Sequence, residues 1–452
     1  MSQQSFPTMA RTPIRPALAG MIAWVVLCVF QFGFGISELN ALEHRLTCTG
    51  SAACFGLSSN AFGLVTTMFT IGGTLSSLAC GSVARYMHAG RRACLQASAT
   101  CVLAGGILLC VSTSFAMLSL ARLLQGIGAG IGVVQVPLYL QEIAPPALSG
   151  EVGILNQVAV VCGIFVAQAT GTLVVSANAP TYYVPQVSAV LAACQLLIGA
   201  LWACESPGWL EGEGAHLAAS APQSPETIRK RLWGTATYEV LPTPPDETTQ
   251  RTAPDWRRDP QLRRGLWLVG LTQAAQQLSG VNAILYYSTG ILSSLMPTLA
   301  SQVGLLITVV NGAMTFPPIF LISEERVGRK ALLVGSASGM GLCCFVLAYS
   351  LTYGYAALSA IAILCVIACF SMGLGPVPFV ILPEVIPAQY GSLGSSFGLS
   401  VNWISNIIVA AGFPPLRTAL GAWDRGTGGL VFVVFGAANL VAAALIQRDY
   451  VY

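Results

Sequence analysis

The residues from Gln276 to Ser288, Gln-Gln-Leu-Ser-Gly-Val-Asn-Ala-Ile-Leu-Tyr-Tyr-Ser, set the carboxamides of Gln276, Gln277 and Asn282 and the phenols of Tyr286 and Tyr287 in an otherwise apolar stretch. A carboxamide donates and accepts hydrogen bonds, as an alcohol does, and brings no charge into an apolar medium. A set of them is complementary to a polyhydroxylated solute such as a sugar, and the tyrosines add rings with one polar end. A lone amide in such a stretch usually bonds one helix to its neighbour. Here the residue type recurs at Gln157, Gln168, Asn311, Asn402 and Asn406, with Phe379 and Trp403 offering apolar faces to a pyranose ring. Helix-to-helix bonding alone does not need so many.

The elements that position these side chains are membrane helices. Of the residues 54% are hydrophobic and only 9% charged, whereas about a quarter are charged in soluble domains. Windows of about twenty residues place spans at 17–36, 61–83, 94–114, 118–140, 154–174, 185–203, 265–288, 303–321, 331–351, 357–382, 392–413 and 430–446. In lipid the backbone must satisfy itself, and spans of this length exclude a barrel of alternating strands. The expected fold class is an all-α membrane protein with twelve transmembrane helices.

Orientation follows from the arginines and lysines. With the amino terminus in the cytoplasm, that side receives Arg11, Arg15, Arg85, Arg91, Arg92, the eight basic residues from Arg229 to Arg264, Arg326, Arg329, Lys330 and Arg448. The other face keeps Arg45, Arg122, Arg417 and Arg425. The asymmetry predicts two cytoplasmic termini. The net charge of +3 sits in membrane loops without a nucleic-acid motif, so no nucleic acid partner is expected. Residues 1–16 are polar and carry no cleavable signal pattern, which makes the first span the expected signal anchor. Cys48 and Cys54 fall in a loop facing away from the cytosol, where a disulfide and two free thiols both stand open. The other spans' cysteines read as small apolar packing residues, and His44, His88 and His216 are too scattered to predict a metal site. No cofactor is expected.

The spans divide six and six. A cytoplasmic segment at 1–16 leads into a first bundle at 17–204, a polar and proline-rich linker at 205–264, a second bundle at 265–446 and a tail at 447–452. Within the linker, 225–232 has the pattern of a short amphipathic helix and 243–252 that of a loop. The halves repeat each other: Gly90-Arg91-Arg92 returns as Gly328-Arg329-Lys330 after 238 residues, and Glu142-Ile-Ala-Pro145 as Glu384-Val-Ile-Pro387 after 242. Parallel six-span repeats are a transporter architecture with the substrate site between them. The run Gly126-Ile-Gly128-Ala-Gly130-Ile-Gly132 has the look of a dinucleotide loop, but no strand precedes it and no ribose-binding acid follows; it reads as close helix packing.

From Gln31 to Asn439 the chain resembles the sugar porters of the major facilitator superfamily, the group of facilitative hexose transporters and fungal sugar permeases. The likeness is carried by Gln276 to Ser288, Glu325-Arg326-Val327-Gly328-Arg329-Lys330, Gly373-Leu-Gly-Pro-Val-Pro378, Glu384 and Asn402-Trp403-Ile-Ser-Asn406. It is supported by Gln31-Phe32-Gly33, Glu38-Leu39-Asn40, Asn156-Gln157 and Glu205-Ser206-Pro207. The resemblance implies that Gln157, Gln276, Gln277, Asn282, Asn311 and Asn402 bind sugar hydroxyls, that Phe379 and Trp403 line the site, and that Tyr286 and Tyr287 help close an outer gate. It implies a cytoplasmic latch in which Arg91, Arg92, Arg326 and Arg329 pair with Glu142, Glu205, Glu325 and Glu384. It also implies a plasma or vacuolar membrane location.

The sequence departs from the family pattern at several positions. Ser371 stands where many relatives carry glutamate, Phe379 where tryptophan is usual, Leu374 where proline is usual and Gly35 where hexose uniporters have asparagine. Ser149 and Gly208 replace arginines of the latch, the loop before Gly90 lacks its usual acid, and the family's Pro-Glu-Thr-Lys-Gly segment does not follow the last span. The resulting reading is a monosaccharide transporter working by alternating access on a hexose; a sugar-sensing receptor is the rival from another class. No nucleophile, base and orienting group share a span or loop, so catalysis is not expected. Proton-driven relatives carry a carboxylate in the first span, at the position of Gly35 here, and its lack predicts passive facilitated diffusion. Glu38, one turn further on, is expected at the interface, and proton symport through it is the alternative.

Overall fold

The computed structural model describes residues 15–39, 42–46, 56–177, 179–212, 214–220, 222–234, 259–284, 300–323, 326–387, 390–423 and 427–450. No strand occurs among them. Six helices form the first half: α1 (Pro16–Ser37), α2 (Ser59–Tyr86), α3 (Arg91–Cys110), α4 (Phe115–Ile143), α5 (Ser149–Ser176) and α6 (Tyr183–Leu201). The second half holds α7 (Pro260–Leu278), α8 (Ala300–Met314), α9 (Arg329–Thr352), α10 (Ala356–Met372), α11 (Gly391–Gly421) and α12 (Val431–Asp449). Their starts are written in the sequence. Ser58 accepts from the Ala61 N–H, Ser114 from Met117, and Asp259 from Gln261 and Leu262, each satisfying donors that a helix leaves open at its first turn.

Among the described residues nine helices are long and apolar enough to cross a membrane. The helix α7 falls short of that measure because Arg263, Arg264, Gln273, Gln276 and Gln277 lie within it. Three spans expected to be continuous are broken. The seventh ends at Leu278, turns through Gly280 at a φ of 84° and is helical again at 281–284. The eighth stops at Met314 and resumes as Pro317–Leu321, and the tenth stops at Met372 and resumes as Val377–Val385. Prolines explain the last two breaks, since Pro317, Pro376 and Pro378 have no N–H to continue the ladder.

The glycine run of α4 packs on three neighbours. A side-chain carbon on Gly126 would lie 2.1 Å from the Phe69 carbonyl of α2, on Gly128 2.6 Å from the Ser98 carbonyl of α3, and on Gly132 2.4 Å from the Cys28 sulfur of α1. Backbone contact this close is how membrane helices gain dispersion energy without a hydrophobic drive. The halves meet along α2 against α11 and along α5 against α8. In the linker, Pro225–Trp233 is helical, buries Ile228 and Leu232, and ties to the first half through Trp233 Nε1, which donates to the Ile143 carbonyl at 2.8 Å.

Gly126→Val should therefore force α2 and α4 apart and lower the thermal stability of the detergent-purified chain, by the ~1–3 kcal/mol typical of overpacking. Gly63→Ala, whose added carbon meets nothing within 4 Å, serves as the control. Equal melting temperatures for the two variants would show that α2 and α4 do not pack through Gly126.

Candidate functional site

Two helices of the second half supply a cluster of amides. On α7, Gln273, Gln276 and Gln277 share one face by their spacing of three and four residues, and α11 brings Asn402, Trp403 and Asn406 against it. Asn402 is the hub. Its Nδ2 donates to Gln273 Oε1 at 2.8 Å and to Gln276 Oε1 at 2.6 Å, while its Oδ1 accepts from Gln277 Nε2 at 2.9 Å. Gln277 Oε1 also accepts from Asn406 at 3.1 Å and from Asn282, which follows the break after α7.

The break after α10 anchors this cluster. The Leu374 carbonyl would normally bond the N–H four residues on, and that residue is Pro378, which has none. Gln276 Nε2 fills the gap, donating to the carbonyls of Leu374 at 2.8 Å and Gly375 at 2.7 Å. The Gly-Leu-Gly-Pro-Val-Pro segment thus has a direct physical link to the Gln276 position.

Of the residues singled out in the sequence, Gln276, Gln277, Asn282 and Asn402 come together. Asn311 lies apart in a second contact, accepting from Ser371 Oγ at 2.8 Å, so the serine found in place of the usual glutamate bonds an amide of α8. Gln157 and Phe379 are buried on α5 and on the helix after α10. Gln168 accepts from Thr308 across the halves at 3.4 Å. Tyr286 and Tyr287 lie outside the described residues, as do Glu325, Cys48 and Cys54. Gln273 was missed by the sequence reading; its place three and four residues before Gln276 and Gln277 was the available signal.

Aromatic rings from both halves meet beside the amides. Trp403 packs edge-on to Phe32 at 5.6 Å and to Phe69 at 6.5 Å, and Phe32 stacks on Phe69 at 6.3 Å. The Trp403 Nε1 is buried with no hydrogen-bond partner. Phe69 also explains Gly35: a side-chain carbon there would lie 2.8 Å from the Phe69 ring. The Arg122 guanidinium lies over that ring, 4.5 Å from its centroid.

Arg122, counted in the sequence with the charges of the other face, is a buried member of its span and not a solvated charge. It lies within α4, 2% exposed, where its Nη1 donates to Glu38 Oε2 at 3.0 Å and to Gln125 at 2.9 Å, and its Nη2 to the Gly35 carbonyl at 2.7 Å. Glu38 is likewise buried, at 0% exposure, and not a solvated charge. A lone buried charge draws in an opposite one, and neither residue alone disclosed the pairing.

At the starts of α3 and α9, Arg91 pairs with Glu142 at 2.8 Å and Arg329 with Glu384, two bonds of 2.7 Å each. Each pair joins residues of one half, in the same repeat positions. Glu205 meets Arg92 through the backbone: its Oε1 accepts from the N–H of Arg92 at 3.0 Å and of Ser206 at 2.8 Å, at the start of α3. The Arg92 side chain donates instead to the carbonyls of Gly199 and Ala200. Burial pushes the Glu205 carboxyl above the usual carboxylate range, and the backbone donors oppose that push. Gly90 belongs here because a side-chain carbon would lie 2.1 Å from the Glu205 carboxylate. Arg326 donates to the Phe320 carbonyl at 2.7 Å.

Asn402→Ala should leave several buried amide groups unpaired, at about 1–3 kcal/mol each. Its melting temperature should fall well below that of Asn406→Ala, which removes a single donor to Gln277. Similar losses in the two variants would contradict the hub.

A family model described as Sugar (and other) transporter matches residues 17–450. The mouse solute carrier family 2, facilitated glucose transporter member 3, is 31% identical over 468 residues, which cover 95% of this chain and 89% of the mouse protein. A probable metabolite transport protein of Saccharomyces cerevisiae is 27% identical over 484 residues, covering 99% of this chain and 96% of the yeast protein. The solved structure of the MFS proton:xylose symporter XylE of E. coli bound to 6-bromo-6-deoxy-D-glucose superposes with a TM-score of 0.79 at 20% identity, covering 96% of this chain and 95% of that one, which shows a common fold. With one family model running through both six-helix halves, this chain belongs to the sugar (and other) transporter family and is an integral, multi-pass membrane protein of the major facilitator fold.

Proposed function

We propose that the chain carries a monosaccharide, a hexose, across its membrane by alternating access and passive facilitated diffusion. The observation that carries this reading is the Asn402-centred amide cluster set beside rings contributed by both halves. Hydroxyls of a sugar exchange bonds with Gln276, Gln277, Asn282 and Asn402, and Gln157, Asn311, Phe379 and Trp403 complete the site. Tyr286 and Tyr287 close it from outside. The halves at 17–204 and 265–446 rock about it, joined by the linker at 205–264, with both termini in the cytoplasm of a plasma or vacuolar membrane. No reaction on the sugar belongs to this mechanism, which needs only differential binding to two conformations.

Proton-coupled symport is the second reading, and the buried Glu38–Arg122 pair favours it. The named relatives include a facilitated glucose transporter and a proton:xylose symporter. In the passive reading the Glu38–Arg122 pair stays closed throughout the cycle. In the symport reading the pair breaks and Glu38 takes up a proton.

Gln277→Ala and Asn282→Ala should each weaken sugar binding by about 1–3 kcal/mol, read as a rise of about five-fold or more in the half-saturating concentration for labelled-hexose flux in proteoliposomes. Unchanged affinity in both variants would return these amides to a packing role. For coupling, an imposed pH gradient should equilibrate labelled hexose without accumulating it. Accumulation that vanishes with an uncoupler and in Glu38→Gln would establish symport.

A further inference from the structure

The helix α7 opens with Pro260-Gln-Leu-Arg-Arg-Gly-Leu-Trp267, and α12 closes with Ile446-Gln-Arg-Asp449. The two helices lie side by side and antiparallel. Trp267 Nε1 donates to Asp449 Oδ2 at 2.8 Å at one end, and Asn439 Nδ2 donates to the Ser279 carbonyl at 3.0 Å toward the other. Arg263, Arg264 and Arg448 are thereby gathered at the same end of the pair, and all three are exposed. Arg448 donates to Asp449 through Nε at 2.6 Å and Nη2 at 3.0 Å, and its side chain is still 69% exposed. The first turn of α7 holds no acidic residue, and the positive end of the helix dipole lies there as well. Neither arginine of α7 can turn inward: a side-chain carbon on Gly265 would lie 2.4 Å from the Val385 carbonyl, and Leu262 and Leu268 are buried.

Beneath the arginines the same faces turn apolar. Arg264, Trp267, Leu271 and Leu278 fall on one side of α7 by their spacing of three, four and seven residues. On α12, Val434, Val441 and Arg448 follow one another at intervals of seven. Trp267 is 55% exposed, and Leu278, Val434 and Val441 are exposed too. An indole whose apolar body is open while its N–H is tied to a carboxylate is the side chain expected at the boundary between headgroups and hydrocarbon. The seam between α7 and α12 thus offers cations at its end and hydrocarbon along its length.

We propose that this seam binds a phospholipid with an anionic headgroup, whose oxygens meet the guanidiniums of Arg263, Arg264 and Arg448 and whose acyl chains lie along Trp267, Leu271 and Val441. Charge complementarity selects the occupant. Three arginines stand against one aspartate, and a guanidinium matches phosphate and carboxylate oxygens with paired donors. A phosphatidylcholine would bring its own cation to that crowd, so the site favours a lipid of net negative charge. The lipid sits on the outer side of the helix that carries the buried Gln273, Gln276 and Gln277 on its inner side, and it does so whatever the cargo.

The test is native mass spectrometry of the full chain in detergent, titrated with phosphatidylserine and with phosphatidylcholine. The native chain should retain phosphatidylserine about ten-fold better than phosphatidylcholine, since each basic residue at the bilayer surface adds to the attraction. The double variant Arg263→Gln with Arg264→Gln should lose most of that preference, and Arg263→Lys with Arg264→Lys should keep most of it. Arg85→Gln, which removes an exposed arginine at the end of α2, should leave the preference unchanged. An unaltered melting temperature without added lipid checks the fold of the double glutamine variant; Arg448→Gln, on the other helix, should by itself lower the preference several-fold. Equal retention of the two lipids by the native chain, a preference that survives in the double glutamine variant, or an equal loss in Arg85→Gln would overturn the proposal. Displacement of phosphatidylserine by inorganic phosphate would reduce the seam to a plain anion site and overturn it as well.

Discussion

In a bilayer every polar group that leaves water must find its partner inside the protein, and this constraint organises the chain. The amides of α7 and α11 satisfy one another through Asn402, and Gln276 reaches the carbonyls that Pro378 leaves without an N–H. The break in the tenth span and the amide run of the seventh thus solve one hydrogen-bonding problem together. A proline break near the middle of a membrane is tolerated because a side chain from a neighbouring helix completes it.

The same accounting governs the charges. Glu38 and Arg122 are buried together, and the two Nη atoms of Arg122 also reach the Gly35 carbonyl and Gln125 while its Nε has no hydrogen-bond partner. Glu205 gives the first turn of α3 an acceptor, where a helix favours negative charge, and Gly90 leaves room for it. The motifs that repeat between the halves, Gly-Arg with a following glutamate, encode a packing unit used twice: an arginine at a helix start bound to a carboxylate at the end of another span.

Much of this was legible in the sequence. Apolar windows located the helices because a membrane imposes length and composition on each segment, and the offsets of 238 and 242 residues exposed the duplication. The spacing of Gln276, Gln277 and Asn402 within spans marked the amide cluster. The helix breaks were less visible, since Pro376 follows a strongly apolar run and Gly280 is a single residue inside the amide-rich seventh span. The Glu38–Arg122 pair was hidden for a different reason. Each residue lies near the end of a span, where a charge is ordinarily solvated, and their 84-residue separation gives no local pattern that joins them. Gly35 could be seen as a departure, but its cause is the Phe69 ring on another helix.

The amides around Asn402 are bonded to one another, and this bears on the heat of binding. A solute that enters exchanges amide-to-amide bonds for amide-to-hydroxyl bonds, so the count of hydrogen bonds changes little and the enthalpy of association is small. In the reading proposed above, each carboxamide lost leaves a sugar hydroxyl or a buried amide unpaired, so the amides hold the cargo even where the heat of exchange is small. If the cluster is the sugar site proposed above, its amides remain paired with one another when the cargo leaves, which suits a carrier that must let go on each turn.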